Sequence, residues 1–282
     1  MTPLQELSSS REHWSYSSLN QFLNICSLQW AFQRYYQEPR EFVTVNLAFG
    51  SAFHRTLEAI SRHRQEQKFL TEKEARDLFA DFWERQLQTE VDLRYEADQD
   101  AEKLSAQGRD LVACYCTRLD QSEEVVAINP TFCVPLIDAQ GGVLEKPLLG
   151  EFDLVVKQAG QPLLVDWKTS ATRWNPGKAH RALQPTLYLY GYTQTQAPGP
   201  VPEFRYDIVV KNKTPVFEQH RTTRGPDAFQ RVLEKIKLAE RMIASEHFYP
   251  NEEGMFCKSC PFSGACQNWH RGKSRWISVA AG

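Results

Sequence analysis

The chain has 282 residues, 41% of them hydrophobic and 24% charged, with a formal net charge of −2. That is ordinary for a globular protein with a sizeable core, and so small a charge excludes nucleic-acid binding through bulk electrostatics, leaving local basic patches. No stretch approaches the roughly 20 apolar residues of a membrane span, and the polar opening over residues 1–12 does not read as a signal peptide, so the expected location is cytoplasmic, with no membrane partner. Seven cysteines, an odd number, argue against a secreted disulfide framework and for metal ligands in a reducing compartment.

In chain order, Ser17 is placed to cap a helix whose apolar face runs Leu19, Phe22, Leu23, Cys26 and Trp30, at three- and four-residue spacing. A second helix is expected to begin near Gly50 and Ser51 and to carry Phe53, His54, Leu57, Glu58 and Ile60. Thr71 and Glu74 have capping-box spacing ahead of an amphipathic run through Leu78, Phe82 and Leu87. A further helix is expected over residues 101–119, which makes the first 120 residues mostly helical. The pattern then changes to β-rich runs at 132–137, 148–156, 163–168 and 204–210, separated by turns with Gly and Pro. One helix is expected at 183–193 and another over 227–245. From Pro250 onward the chain reads as irregular and Cys-bearing. No linker divides it, so the expectation is one α/β domain over residues 1–282, with a helical N-terminal elaboration and a Cys-rich tail.

The sharpest local signal is Leu163-Leu164-Val165-Asp166-Trp167-Lys168. Strand side chains alternate, so Asp166 and Lys168 share one face and Val165 and Trp167 the other. The preceding run holds Asp153, and residues 157–162 between them are turn-like, with Gly160 near the centre. A hairpin symmetric about Ala159 and Gly160 sets position 153 opposite 166. Two aspartates side by side repel each other, and a cation that prefers oxygen ligands, Mg²⁺ or Mn²⁺, compensates. Lys168 beside it would orient a water, lower its pKa, or stabilise charge building on phosphorus. An isolated Asp-x-Lys is common by chance, and a solvated strand face would account for it.

Cys257, Cys260 and Cys266 bunch in the polar tail, a spacing that favours a bound metal over independent buried cysteines. A closed site needs a fourth ligand. Cys114 and Cys116 on a helical run and Cys133 on a strand read as core residues. Four thiolates suit zinc as well as an iron–sulfur cluster. Basic residues gather after the second strand of the hairpin: Lys168, Arg173, Lys178, His180 and Arg181, with Trp174 among them as a possible base-stacking ring. Lys211, Lys213, Arg221 and Arg224 form a second group expected to flank the same groove. For any one of these a solvated loop is the plainer account. Gly272-Lys273-Ser274 lacks the earlier glycine of a phosphate-binding loop, position 267 being Gln, so the chain is not itself an ATP-driven helicase.

Gly150 and Asp153, followed by Asp166-Trp167-Lys168, resemble the catalytic core of the PD-(D/E)XK nuclease superfamily, and specifically its RecB-type and CRISPR-adaptation exonuclease branch. Gly50 with His54 resembles that branch's first motif, and Gln184 with Tyr188 its downstream motif. Cys26 with Cys257, Cys260 and Cys266 resembles its iron–sulfur staple. The ordered combination spans most of the chain. The resemblance implies a restriction-endonuclease-like core, a mixed central sheet flanked by helices. It implies Mg²⁺ or Mn²⁺ held by His54, Asp153, Asp166 and the backbone carbonyl of Trp167, with catalysis by Asp153, Asp166 and Lys168 and substrate contacts from Gln184 and Tyr188. It also implies a 4Fe–4S cluster on the four cysteines, joining residues 14–36 to 250–270, with zinc the lesser alternative.

The implied activity is that of a metal-dependent deoxyribonuclease, exonuclease or flap-type, acting on DNA ends or single strands in repair, recombination or defence. Its implied partners are helicase, repair, recombination or CRISPR-adaptation proteins. The alternative is a non-catalytic nucleic-acid-binding iron–sulfur subunit, against which the intact Asp153, Asp166 and Lys168 speak. Pro185 between Gln184 and Tyr188 requires the helix to start there or to kink. Glu58, one turn from His54, is expected either to orient it or to be a plain surface carboxylate.

Overall fold

A computed structural model describes residues 13–90, 92–195 and 201–279, with side chains through Gly272; the opening residues 1–12 lie outside the described part. The first helix, α1 (Tyr16–Asn20), is capped by Ser15, whose hydroxyl accepts the Ser18 N–H, so it starts before the expected Ser17. A π-turn over Gln21–Ile25 follows, and α2 (Ser27–Arg34) begins afresh from Cys26. The continuous helix expected there is therefore in three pieces. Cys26 lies at a helix start, where its sulfur accepts the Gln29 N–H, one of the donors a helix N-terminus leaves unpaired.

A short β1 (Val43–Thr44) pairs in parallel with β2 (Leu93–Arg94). Between them lie α3 (Val45–Gln65) and α4 (Glu72–Thr89), the latter opening on the expected Thr71–Glu74 capping box. Asp100 caps α5 (Ala101–Cys116). These three helices bury Phe49, Phe53, Leu57, Phe79, Trp83, Leu111 and Tyr115 against Leu154, Val156, Val165 and Trp167 of the sheet. Each side chain of this kind contributes about 1.5–3 kcal/mol when fully withdrawn from water.

The sheet has the order β3 (Glu124–Ile128), β6 (Leu154–Gln158), β7 (Gln161–Ser170), β8 (Glu203–Val210), β9 (Val216–Thr222). Only β7 and β8 run parallel, and they are joined through α6 (Lys178–Arg181) and α7 (Leu183–Thr195). A separate ribbon pairs β4 (Thr131–Val134) with β5 (Leu148–Glu151). The expected strand over 148–156 is thus two strands, broken where the Phe152 N–H turns to the Pro130 carbonyl. On the sheet's other face Leu164, Phe204, Tyr206 and Ile208 pack with α1, α2, α7 and α8 (Pro226–Ala244). Helices cover both faces of a mixed sheet, which is the expected fold class.

Two strands of the five-stranded sheet, β3 and β9, were not anticipated, nor was the short β1–β2 pair. In β9 the run Val-Phe-Glu-Gln-His-Arg-Thr is mostly polar because it forms a sheet edge with one solvated side. The tail also departs from expectation, since a 3₁₀ turn over Cys257–Ser259 leads into α9 (Ser263–Val279). Gly264 and Gly272 hide that helix in the sequence. Its start is fixed by Glu41, whose carboxylate accepts from the Ser263 hydroxyl and the Gly264 N–H. Among the described residues no helix is long and apolar enough to cross a membrane.

Candidate active site

β6 and β7 meet at Ala159 and Gly160, with φ of 48° and 79°. Two successive left-handed residues match the twist of the flanking strands and tighten the hairpin. The ladder pairs Leu154 with Val165 and Val155 with Leu164, which projects position 153 opposite 166, as the symmetry about the turn requires. Asp153 lies just outside the ladder, and its side chain takes the place of a backbone partner: Oδ2 accepts the Trp167 N–H at 2.8 Å. The N–H and C=O of a strand residue leave by the same edge, so the Trp167 carbonyl faces the same gap. Gly150 is there for packing, since a Cβ would stand 2.4 Å from the Phe132 ring.

Asp166 is 1% exposed. The Gln184 side-chain amide donates a short bond to its Oδ1, and Lys168 Nζ stands 2.6 Å from Oδ2. That close contact is a charge-assisted ion pair, so the buried Oδ2 has the Lys168 ammonium as its neighbour. Burial pushes the Asp166 carboxyl up to about 6, with the Lys168 charge opposing and the Asp153 charge adding.

His54, carried by α3, places Nδ1 3.4 Å from Asp153 Oδ2. Burial works against the imidazolium, but the bond to Asp153 and its charge outweigh burial and hold the ring above its ordinary range. Burial likewise works against the Asp153 carboxylate, yet the His54 bond and charge, Lys168 and the Trp167 N–H keep it below the usual range. Lys168 is raised too, since Asp166 and Asp153 together outweigh its desolvation. The buried Asp166 and the partly buried Asp153 thus face the Lys168 ammonium and the His54 ring of the chain itself. Glu151 adds a third acid nearby, pushed up by desolvation and by the Asp153 and Glu58 charges.

Gln184 is buried in the first turn of α7, where Pro185 costs no hydrogen bond. It accepts from the Tyr206 hydroxyl at 3.4 Å and donates to Asp166, so it touches the carboxylate and not the lysine. Tyr188, one turn on, packs edge-on against Phe152, Phe132 and Phe204. Burial, and after it the charges of Asp166 and Asp153, push its hydroxyl well above the usual range. Tyr16 of α1 was not anticipated. Its hydroxyl is raised by burial, with Lys168 and Asp166 acting on it, and its ring meets Tyr188 edge-on at 6.3 Å. No local pattern in the chain could link residue 16 to 168.

Several expectations need correcting. Gly50 lies inside α3, not at its start, and a Cβ there would meet nothing within 4 Å, so no close approach requires it. Glu58 pairs with Arg62 at 2.7 Å instead of orienting His54. Trp174 rests on Tyr206, with Lys178 Nζ 4.0 Å over its ring, so it offers no free stacking surface. Arg221 bonds Glu203 and Gln158 beside the hairpin turn, away from the acids. Lys211 stands 4.0 Å over the Phe49 ring, and burial pushes its ammonium down to about 8.

Among the described residues no group of three or more His, Cys, Asp or Glu side chains stands close enough to grip a metal ion as placed. The donor chemistry nonetheless fits a hard divalent cation: the buried Asp166 carboxylate, a second carboxylate and a carbonyl face one gap. The seven cysteines are all free. Cys26, Cys257, Cys260 and Cys266 line one cavity of about 300 Å³. The Gln29 N–H donates to Cys26 Sγ and the Gln29 side-chain amide to Cys260 Sγ, each at 3.4 Å. Burial raises the Cys260 and Cys266 thiols, and the neighbouring cysteines raise them further. Cys114, Cys116 and Cys133 lie elsewhere, half-buried.

Two aspartates and a lysine thus converge at the β6–β7 hairpin of a mixed, helix-flanked sheet. The family model of the PD-(D/E)XK nuclease superfamily matches residues 13–267, and the chain belongs to that superfamily. Among solved structures, a candidate exonuclease from Eubacterium rectale is similar at 12% identity over 91% of this chain and 91% of that one, with a TM-score of 0.57. The protein SSO0001 is 13% identical over 88% and 90%, with a TM-score of 0.34. The first likeness is one of fold, and the second carries no weight. No curated protein matches the sequence.

Proposed function

We propose that the chain is a divalent-metal-dependent deoxyribonuclease of the RecB-type or CRISPR-adaptation branch, an exonuclease or flap-type enzyme acting on DNA ends or single strands. The observation that carries this reading is the convergence on one gap of the buried Asp166, paired with Lys168, and of Asp153, which faces His54 and accepts the Trp167 N–H. The fold likeness to a candidate exonuclease agrees with it.

Asp153 and Asp166 hold the cation, with His54 and the Trp167 carbonyl beside it. A bound Mg²⁺ or Mn²⁺ supplies Lewis acidity toward a phosphoryl oxygen and lowers the pKa of a water. An imidazole in the donor set favours Mn²⁺. Lys168 orients the attacking water and stabilises the negative charge that grows on phosphorus. Gln184, itself fixed by Tyr206, locks the Asp166 carboxylate, and Tyr188 closes the wall above it.

The same reading assigns Cys26, Cys257, Cys260 and Cys266 to a 4Fe–4S cluster, with zinc the lesser alternative. Free thiols on one cavity, with N–H donors aimed at two sulfurs, support it. The cluster would reinforce a joint between residues 14–36 and 250–270 that protein contacts already make: Ser27 exchanges two hydrogen bonds with Tyr249, and Asn251 donates to the Ile25 carbonyl. One domain over residues 1–282, a cytoplasmic setting, and helicase, repair, recombination or CRISPR-adaptation partners complete the proposal.

End-labelled single- and double-stranded DNA, incubated with and without Mn²⁺, tests the activity. Metal-dependent release of short labelled products is expected, from single strands or ends. Binding without cleavage under every metal condition would instead identify the non-catalytic subunit. In the same assay Gln184→Leu is expected to slow single-turnover cleavage between about tenfold and 100-fold, the cost of misplacing a catalytic group. Tyr188→Phe keeps its aromatic contacts and should lose less. Parent-level rates in the double variant would remove both residues from the site.

A further inference from the structure

Gln184 and Thr186 stand two residues apart on α7, and they serve different places. Gln184 reaches Asp166, while Thr186 lines a cavity of about 540 Å³ enclosed by α6, the start of α7 and the start of α8. The cavity wall carries Arg181, Arg224, Arg231 and Lys235, and Asp227 is the one carboxylate residue along it. Among the described residues none of these four cations makes an ion pair. Elsewhere on this protein Arg62, Arg76, Arg109, Arg205 and Lys237 all have carboxylate partners.

Arg224 is the fixed part of the cluster. Its half-buried guanidinium donates to the Thr186 and Thr222 hydroxyls and to the Thr223, Ala179 and Ala182 carbonyls, all neutral acceptors. The geometry is therefore set in advance while the charge stays uncompensated. Burial pushes this guanidinium down from its ordinary range, and the neighbouring Arg231 charge adds to the shift. Arg231 and Lys235 lie one turn apart and share a face of α8. That helix also begins at the cavity, and its cap residue Gly225 provides no side-chain bond to the first-turn amides. Like charges crowded round an opening, together with a helix's positive end, are stable when an anion sits among them.

We propose that this cavity anchors a phosphate group of the nucleic-acid strand that the carboxylates cut. The link is α7, which holds Asp166 through Gln184 and the cavity's fixed arginine through Thr186, so an anchored strand and the reacting carboxylate are positioned by one element. The inference rests on the nuclease reading above. The phosphate is either an internal phosphodiester or a terminal phosphomonoester.

The test is fluorescence anisotropy of the full chain with labelled single-stranded DNA in EDTA, where cleavage does not run, over a range of salt. Arg231→Gln/Lys235→Gln is expected to weaken binding by about tenfold or more at low salt. It should also flatten the log–log salt slope by roughly 1.4, the counterion release from two single-strand phosphate contacts. Lys103→Gln/Arg109→Gln removes two charges from α5, at the exposed Lys103 and the half-buried Arg109, and should leave that slope at the parent value. Comparing 5′-phosphorylated, 3′-phosphorylated and hydroxyl-ended strands separates the two sources. A terminal anchor gives the parent a preference for one phosphorylated end that the variant lacks, while an internal anchor gives equal losses on all three. Should the paired substitution disturb melting, Arg181→Gln alone carries the same test. A parent that binds DNA, with variants matching its affinity and slope, overturns the anchor. A parent that neither binds nor cuts nucleic acid overturns the nuclease reading instead.

Discussion

Asp166→Asn is expected to lower single-turnover DNA cleavage by at least about 1,000-fold, the scale of losing a group that stabilises transition-state charge. Asparagine keeps the volume and an oxygen that accepts the Gln184 amide, so the local packing survives. What disappears is the negative charge that faces Lys168 and would hold a cation. Stability should respond as well, and two effects compete. Losing one of two buried like charges favours the folded state, whereas Lys168 loses a partner at 2.6 Å. Removing one member of a fully buried pair costs about 3–5 kcal/mol. Lys168 keeps 30% exposure, so a loss of about 1–2 kcal/mol in the metal-free protein is expected. Asp166→Asn/Lys168→Met should recover most of it. Lys168→Met alone is expected to cut roughly 100-fold more slowly, and calorimetry should show Mn²⁺ bound as well as, or better than, by the parent, since a repelling charge has gone. Thermal melts in EDTA and single-turnover assays on the same variants decide the matter. Parent-rate cleavage by Asp166→Asn would end the catalytic assignment.

Protein prepared without oxygen is expected to be brown from thiolate-to-iron charge transfer, and Cys260→Ser to bleach it and lower the melting temperature by more than about 10 °C. The size follows from what the four sulfurs join. Cys26 opens α2, and the others surround the 3₁₀ turn and the start of α9, so the ligands close almost the whole chain into a loop. Cys114→Ser is the control. That thiol lies on α5 with Sγ 3.5 Å from the Pro215 carbonyl, outside the cavity, and its loss should leave the colour unchanged. A colourless protein with stoichiometric zinc would reassign the metal and leave the nuclease reading in place.

The hairpin was legible because its information is local. Ala159-Gly160 sets the turn, alternation sets the faces, and together they bring position 153 to 166 with no knowledge of the rest of the chain. The Thr71–Glu74 box was legible for the same reason. What escaped depends on distant partners. Nothing near Tyr16 announces that the Lys168 charge acts on it, and nothing near Arg221 announces that Glu203 neutralises it while Arg231 has no ion pair among the described residues. The π-turn before Cys26 escaped because its residues continue a helical apolar spacing, and α9 because two glycines interrupt one. Single-sequence reading places residue types on elements, and it leaves open which charges cancel.

The joint between α2 and the tail bears on the order of events during synthesis. Ser27 and Tyr249 are separated by 222 positions, and Trp14 similarly donates to Glu240 across 226. The N-terminal helices therefore leave the ribosome long before the residues that Ser27 and Trp14 bond to have been made. A nascent chain would carry Asp153, Asp166 and Lys168 on strands whose covering layer is still incomplete. Residues 240–251 thus complete the seat of the N-terminal helices, and the joint couples the order of that layer to the synthesis of a segment far along the chain.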